Sequence, residues 1–374
     1  MEQIVISGTG VFTPEESITN KELVNAYNSY AESYNSNNED DISRGNKVAL
    51  ELSNEEFIFN ASGIKNRFVM DKKGILDPNI MHPILDKRSN DEPSILAEMS
   101  LKAAKKAMEK AKKKPHDIDA VITACSNLER AYPAISIEVQ ELLGIKGFAF
   151  DMNVACSSAT FAIQAAADMI KSGSAKTILI VDPEICSGHL DFKDRDCHFI
   201  FGDVCTAMIL EKRETAQSNN SFEILSTKCI TQFSNNIRNN FGFLNNAKKS
   251  SPLDRDLLFM QEGRKVFKEV VPMVSQLIID HVYEEKIKID EIKRLWLHQA
   301  NKSMNDFIGK KVLGRIPEDH EQPNILQDYA NTSSAGSIIA FSLYSEDMKS
   351  DEIGVLCSFG AGYSAGSIIL KKIS

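Results

Sequence analysis

The chain has 374 residues, 43% of them hydrophobic and 25% charged, with a formal net charge of −9. That is enough apolar material for one large or two intimately packed domains, and the acidic balance disfavours a nucleic-acid partner. No apolar run approaches the ~18 residues of a membrane span, and seven cysteines without framework spacing fit reduced thiols, so a cytoplasmic protein with no membrane association is expected.

Met1-Glu2-Gln3, a short apolar run and Gly8 predict a first strand rather than a signal peptide. Two polar stretches follow, 26–55 and 72–92. Asn35, Asn37, Asn38, Glu39 and Asp40 make the first hydrophilic, and Pro78 and Pro83 punctuate the second before Pro93. Both are expected to be surface decoration, because long loops are tolerated cheaply. A helix pattern spans 97–113, and Ile118-Asp119 then leads into a strand at 120–123.

Phe148, Phe150, Met152 and Val154 alternate with Ala149, Asp151 and Asn153, the period of a strand, and 157–170 reads as a helix closing at Gly173. Cys156 therefore falls at a helix N-terminus, where unpaired amides and the helix dipole are expected to lower its pKa. Its neighbours Ala155, Ser157, Ser158 and Ala159 are small, so a ligand can approach closely. Farther on, Cys186, His189, Cys197 and His198 match no common zinc spacing, and no metal is expected.

A helix pattern at 270–283 leads through Ile289-Asp290 to the strand Leu295-Trp296-Leu297, echoing the order of 97–123. The segments beginning Phe201-Gly202-Asp203 and Phe359-Gly360-Ala361 also end their halves alike. This internal repeat predicts a layered α/β protein, sheets covered by helices, with halves at 1–215 and 216–374. His298 projects from the end of the second-half strand, ahead of a helix at 301–313. Asn331 opens a tight loop of small residues before the apolar helix around Ile338-Ile339-Ala340-Phe341. A thiol, an imidazole and a carboxamide in these settings suggest acyl transfer through a thioester, at the boundary between the repeats.

The Cys156 segment, His298-Gln299-Ala300-Asn301, Asn331-Thr332-Ser333 and Phe359-Gly360-Ala361-Gly362-Tyr363 resemble the β-ketoacyl-acyl-carrier-protein synthase III family of the thiolase superfamily. Gly8-Thr9-Gly10, Gly63-Ile64, Arg67, Tyr132-Pro133, the Leu143–Gly147 stretch and Phe201-Gly202-Asp203 fall in the expected order. The resemblance implies the thiolase fold, duplicated βα halves in a five-layered αβαβα arrangement. It implies decarboxylative Claisen condensation of an acyl thioester primer with malonyl-acyl carrier protein, in fatty acid biosynthesis. Cys156 would carry the acyl group, His298 and Asn331 would hold the enolate oxygen, and the backbone amides of Cys156 and Ala361 would form the oxyanion hole.

The same resemblance places substrate contacts at Phe57, Tyr132, Phe359, Gly360 and Gly362, with Tyr132 reaching the acyl tunnel of a homodimer mate. Ala61 stands where the family has an arginine that contacts coenzyme A, which leaves the acyl donor open between acyl-CoA and acyl carrier protein. Docking of the acidic carrier falls to Arg264, Lys265 and Lys268 and to Lys302, Lys310 and Lys311. No cofactor is implied. A secondary-metabolite ketosynthase or a hydroxymethylglutaryl-CoA synthase is the nearer alternative. A papain-like protease is the distant one, since its Cys-Gly-Ser-Cys-Trp surround is missing.

Overall fold

A computed structural model describes residues 2–247, 251 and 253–373. Nine strands build its large sheet: β1 (Ile4–Phe12), β2 (Ala120–Ala124), β3 (Phe148–Met152), β4 (Thr177–Ile185), β5 (Asp203–Lys212), β6 (Ser221–Ser234), β7 (Ile292–Leu297), β8 (Ile353–Gly360) and β9 (Gly362–Ile373). Their order is β7-β8-β9-β6-β1-β5-β4-β2-β3. β2 runs parallel to β4, which is antiparallel to β5, which is antiparallel to β1. β7, β8, β9 and β6 repeat those relations. The two series meet at a short antiparallel seam, where Val5 pairs with Glu223 and Ile6 with Phe222.

Helices fill the space that this sheet leaves. α1 is Asn20–Asn37, α2 Ile95–Ala111, α3 Ser158–Lys171, α4 Gly263–Glu284, α5 Lys302–Leu313 and α6 Ala335–Leu343. α3 and α6 touch strands of both series and share one core with Ile4, Ile122, Leu210, Phe222, Leu356 and Ile368. α2 covers the outer face of the first series, while α4 and α5 cover that of the second. The result is helix, sheet, central helices, sheet, helix. This is the layered α/β architecture that the sequence repeat predicts, in the five-layered arrangement that the family resemblance implies.

Residue size sets how close these layers come. Ser94 caps α2 by accepting the Ala97 N–H, and Ala103 and Ala107 line its buried face. Opposite them on β1 stand Gly8 and Gly10, where a Cβ would lie 2.3 Å and 2.1 Å from the Ala107 and Ala103 carbonyl oxygens. Helix and strand pack backbone to backbone there. In the other series Trp296 is fully buried, edge-on to Phe222 and Phe341, and its indole N–H donates to the Tyr344 carbonyl at 2.9 Å. Removing such a ring costs about 3–5 kcal/mol. Its position two residues before His298 fixes the end of β7.

The stretch 26–55 departs from the expected surface decoration. α1 begins at a capping box made by Thr19 and Glu22 and buries Leu23 and Val24 ahead of this stretch and Ala26, Tyr27 and Ala31 within it. Leu23, Val24, Tyr27 and Ala31 pack with Phe192, Phe199, Phe201 and Phe259, the aromatic floor under the site described next. The Asn-rich polar residues masked a stripe of apolar ones at helical spacing. The stretch 72–92 holds the short helix Lys72–Leu76 and buries Ile75 and Met81 in the same cluster.

Candidate functional site

Cys156 lies between β3 and α3, two residues ahead of the first α3 residue. Ala155 before it has φ +47, a costly conformation for a residue with a side chain. Hydrogen bonds hold the bend. The Ala155 N–H donates to Asn153 Oδ1 at 2.9 Å, the Val154 N–H to Ser158 Oγ at 2.8 Å, and Ser157 Oγ to the Ser364 carbonyl on β9 at 3.0 Å. Cys156 as a residue is half-buried, and it forms part of the wall of two cavities.

One cavity, of about 630 Å³, is lined by Phe57, Arg264, His298, Asn331, Phe359 and Gly360 together with Cys156. The other, of about 860 Å³, reaches Ser126 to Ala131, Phe233, Phe241, Phe243, Ala361 and Gly362. Phe201, Ile237 and Phe259 join Cys156 in the partition between them. The structure thus brings together the thiol from one series with the imidazole and carboxamide from the other.

His298 directly follows β7, its N–H donating to the Cys357 carbonyl at 2.7 Å, and its ring meets Phe359 edge-on with centroids 5.2 Å apart. Burial pulls the imidazole down to about 4, with the Ser333 backbone pulling weakly the other way. It is therefore neutral at pH 7, and Nδ1 is buried without a well-formed hydrogen bond. Asn331 is held by its backbone: its N–H donates to the Ile200 carbonyl and its carbonyl accepts from the Gly202 N–H, both at 3.0 Å. Its side-chain Oδ1 accepts the Ser333 N–H at 2.9 Å. With the oxygen occupied, the NH₂ group remains for the cavity that Asn331 lines.

The thiol departs from expectation. Burial pushes Cys156 up to about 11, while the Ser333 hydroxyl and the backbone at Ala361 and Cys156 pull it down and the nearby Glu184 carboxyl pushes it further up. The cysteine is at a helix N-terminus as the sequence predicts, but desolvation outweighs the stabilisation that this position gives a thiolate. The resting group is a protonated thiol.

The remaining candidates divide. Phe359 and Gly360 line the cavity with His298, Ala361 and Gly362 the other. Phe57 lines the first as well, yet the Arg195 guanidinium lies 4.1 Å from its ring centroid and Phe199 packs edge-on against it. Sequence reading missed Arg195, which brings a cation to the ring although Ala61 cannot. Tyr132 lies on the surface, 84% exposed, directly after Ala131 of the larger cavity's lining but not itself part of either lining. Arg264 opens α4 at the mouth of the smaller cavity, Lys265 pairs with Glu262, and Lys268 is exposed beside them. Lys302 pairs with Asp306, and with Lys310 it borders a separate cavity that holds neither Cys156 nor His298. Lys311 is exposed at that same end of α5.

Cys186, His189, Cys197 and His198 are all buried or partly so, packed among aromatic side chains. His198 stacks on Tyr27 at 4.8 Å, and His189 meets Phe201 and Phe259. Burial lowers both imidazoles to about 4.

Comparison with known proteins covers the whole fold. Residues 150–232 match the model of 3-oxoacyl-[acyl-carrier-protein] synthase III and residues 282–372 that of its C-terminal part. The chain is 58% identical over 347 residues to the β-ketodecanoyl-[acyl-carrier-protein] synthase of Pseudomonas aeruginosa, covering 93% of this chain and 99% of that one. It is 27% identical over 380 residues to a β-ketoacyl-[acyl-carrier-protein] synthase III of Clostridium perfringens, covering 99% and 100%. Among solved structures, 3-oxoacyl-[acyl-carrier-protein] synthase III from Aquifex aeolicus superposes with a TM-score of 0.77 at 23% identity, over 98% of this chain and 99% of that one.

Proposed function

Since the chain belongs to the 3-oxoacyl-[acyl-carrier-protein] synthase III family of condensing acyltransferases, we propose that it joins a medium-chain acyl primer to malonyl-acyl carrier protein through an acyl-Cys156 intermediate. The observation that carries this reading is the position of Cys156 in the wall between two cavities. A thioester donor entering the smaller cavity presents its carbonyl to the sulfur, and the larger cavity has room for the acyl chain. The donor thiol then leaves, and malonyl-acyl carrier protein takes its place.

In the second step the malonyl carboxylate departs as carbon dioxide and leaves an enolate. Neutral His298 and the NH₂ group of Asn331 donate to its oxygen, worth about 3–4 kcal/mol per donor in a dry site. The enolate carbon attacks the acyl-Cys156 carbonyl, whose oxyanion is held by the N–H groups of Cys156 and Ala361; its collapse breaks the C–S bond, frees the Cys156 sulfur and releases the β-ketoacyl-acyl carrier protein. Decarboxylation supplies the carbon nucleophile, so no metal or organic cofactor takes part.

The P. aeruginosa relative is named for a ten-carbon product, which an octanoyl primer gives on gaining two carbons. An octanoyl group is the primer assigned here. Phe57 under Arg195 offers a planar aromatic and a cation to an adenine nucleotide, which favours octanoyl-CoA as the donor. Carrier protein docks at Arg264, Lys265 and Lys268, beside the mouth of the smaller cavity. Exposed Tyr132, Ile137, Leu142 and Phe148, the last on the sheet-edge strand β3, offer an apolar face to a second copy in a homodimer. No helix of the described residues is long and apolar enough to cross a membrane, in keeping with a cytoplasmic enzyme.

Intact mass spectrometry after exposure to acetyl-, butyryl-, octanoyl- and dodecanoyl-CoA tests the proposal. An octanoyl adduct that forms fastest and disappears in Cys156→Ala is expected. Preference for acetyl-CoA, or an adduct that survives that substitution, overturns it.

A further inference from the structure

β4 carries two carboxylates, Asp182 and Glu184, at the end of the apolar run Ile178 to Val181, and both are fully buried. Glu184 lines neither cavity at Cys156, so it does not meet a substrate held there. Its carboxylate accepts the Ser126 N–H at 3.0 Å, the Ser126 hydroxyl, and the Ser334 N–H at 3.4 Å. Ser334 extends the chain, its Oγ accepting the N–H of Ala159 in the first turn of α3 at 2.6 Å.

Three segments therefore meet at one carboxylate. The loop after β2 contributes Ser126, which borders the larger cavity. The Asn331 loop contributes Ser334, and through it the helix that begins beside Cys156 is tied in. A buried carboxylate carries a desolvation penalty that hydrogen bonds only partly offset, and an apolar residue at this place would leave the Ser126 and Ser334 amides unpaired. The Asn331 loop needs such an anchor, since Ala330 and Ser333 within it have φ +57 and +50, conformations that persist only where the surroundings enforce them.

We infer that Glu184 is a positioning residue for condensation: without touching substrate, it holds the Asn331 loop in register with the helix that carries Cys156. Acylation requires the sulfur and its oxyanion amides, which belong to the bend before α3 and the β8–β9 turn, and the Asn331 loop reaches the sulfur only through the Ser333 hydroxyl. Decarboxylation requires the Asn331 amide at the enolate oxygen, and so depends on that register. This inference rests on the condensing role proposed above.

Glu184→Gln keeps the shape and the Oε1 acceptor for both amides but removes the charge and turns Oε2 into an NH₂ donor, so the Ser126 hydroxyl must reverse from donating to accepting. Its folding is checked by thermal melting, and acylation by octanoyl-CoA is followed by intact mass. Condensation of the pre-acylated enzyme with malonyl-acyl carrier protein is measured separately. Acylation within about 3-fold of wild type is expected, with kcat for condensation down about 100-fold and KM little changed, the size of a misplacement near 1 Å. Glu184→Asp, which keeps the charge on a shorter arm, repeats the comparison should the Gln variant not fold. Condensation at the wild-type rate, or equal losses in both steps, overturns the inference. A wild-type enzyme that takes up no acyl group defeats the proposed function instead, and the wild-type control reads that directly.

Discussion

Gly360 stands so close to Cys156 that a Cβ added to it would lie 2.5 Å from the cysteine Cβ and 2.9 Å from its sulfur. The thiol has its position because β8 ends in a residue without a side chain. Gly360→Ala must push the sulfur aside or open the β8–β9 turn, at a stability cost of about 1–3 kcal/mol. A fall of about 100-fold in the rate of acyl-Cys156 formation is expected, read by intact mass over time. A variant that acylates normally contradicts this placement.

The protonation states give a second prediction. A thiol lifted to about 11 is ionised in about one molecule in 10⁴ at pH 7. Because the pKa is raised, the reactive thiolate is gained as pH rises, so the rate of Cys156 alkylation by iodoacetamide should climb about tenfold per pH unit from 7 to 9.5. A plateau below pH 8 would show a preformed thiolate.

Asn331 and His298 separate the two half-reactions. Asn331→Asp replaces the free NH₂ with an acceptor, while Oδ1 can still take the Ser333 N–H. Carbon dioxide release from malonyl-acyl carrier protein should fall about 10²–10³-fold, as for the loss of one oxyanion donor. Formation of acyl-Cys156 should change far less. His298→Ala should behave alike.

Charge reversal discriminates between the two basic patches. Arg264 sits at the mouth of the cavity that holds Cys156, whereas Lys310 lies eight residues beyond Lys302, about 12 Å along α5, beside another cavity. Arg264→Glu should raise KM for malonyl-acyl carrier protein about 10-fold at low salt, less at high salt. The pair Lys310→Glu and Lys311→Glu should leave it within about 2-fold if docking centres on α4.

Much of this architecture was legible in the residues. Asn301 marks the start of α5 and indeed caps it, accepting the Met304 N–H, and the order of helix, turn and strand at 97–123 recurs at 270–297 as drawn. Local pattern carries such information because caps and periodicity act within a few residues. What the sequence hid depends on burial. The helix N-terminus at Cys156 was visible, but the desolvation that outweighs it is set by packing from both series. Tyr27 and Ala31 of α1 were masked by the asparagines interleaved with them, of which Asn28 and Asn35 bond to the Ser53 and Leu50 backbone. Glu184 left one faint trace, a carboxylate two residues from another inside an apolar strand, and its partners Ser126 and Ser334 come from distant parts of the chain. Arg195 reaches Phe57 across 138 positions of sequence, beyond any local pattern.

The seam between β1 and β6 rests on Val5, Ile6, Phe222 and Glu223, and Cys156 lies on one side of it, His298 and Asn331 on the other. Each repeat can build its own strands and outer helices from near neighbours, but no reactive centre exists until the two have docked over α3 and α6. Catalytic competence is thus a property of long-range closure, which arrives late because distant contacts pay their loop entropy first. A refolding chain should regain its far-ultraviolet signal before its sulfur can be acylated.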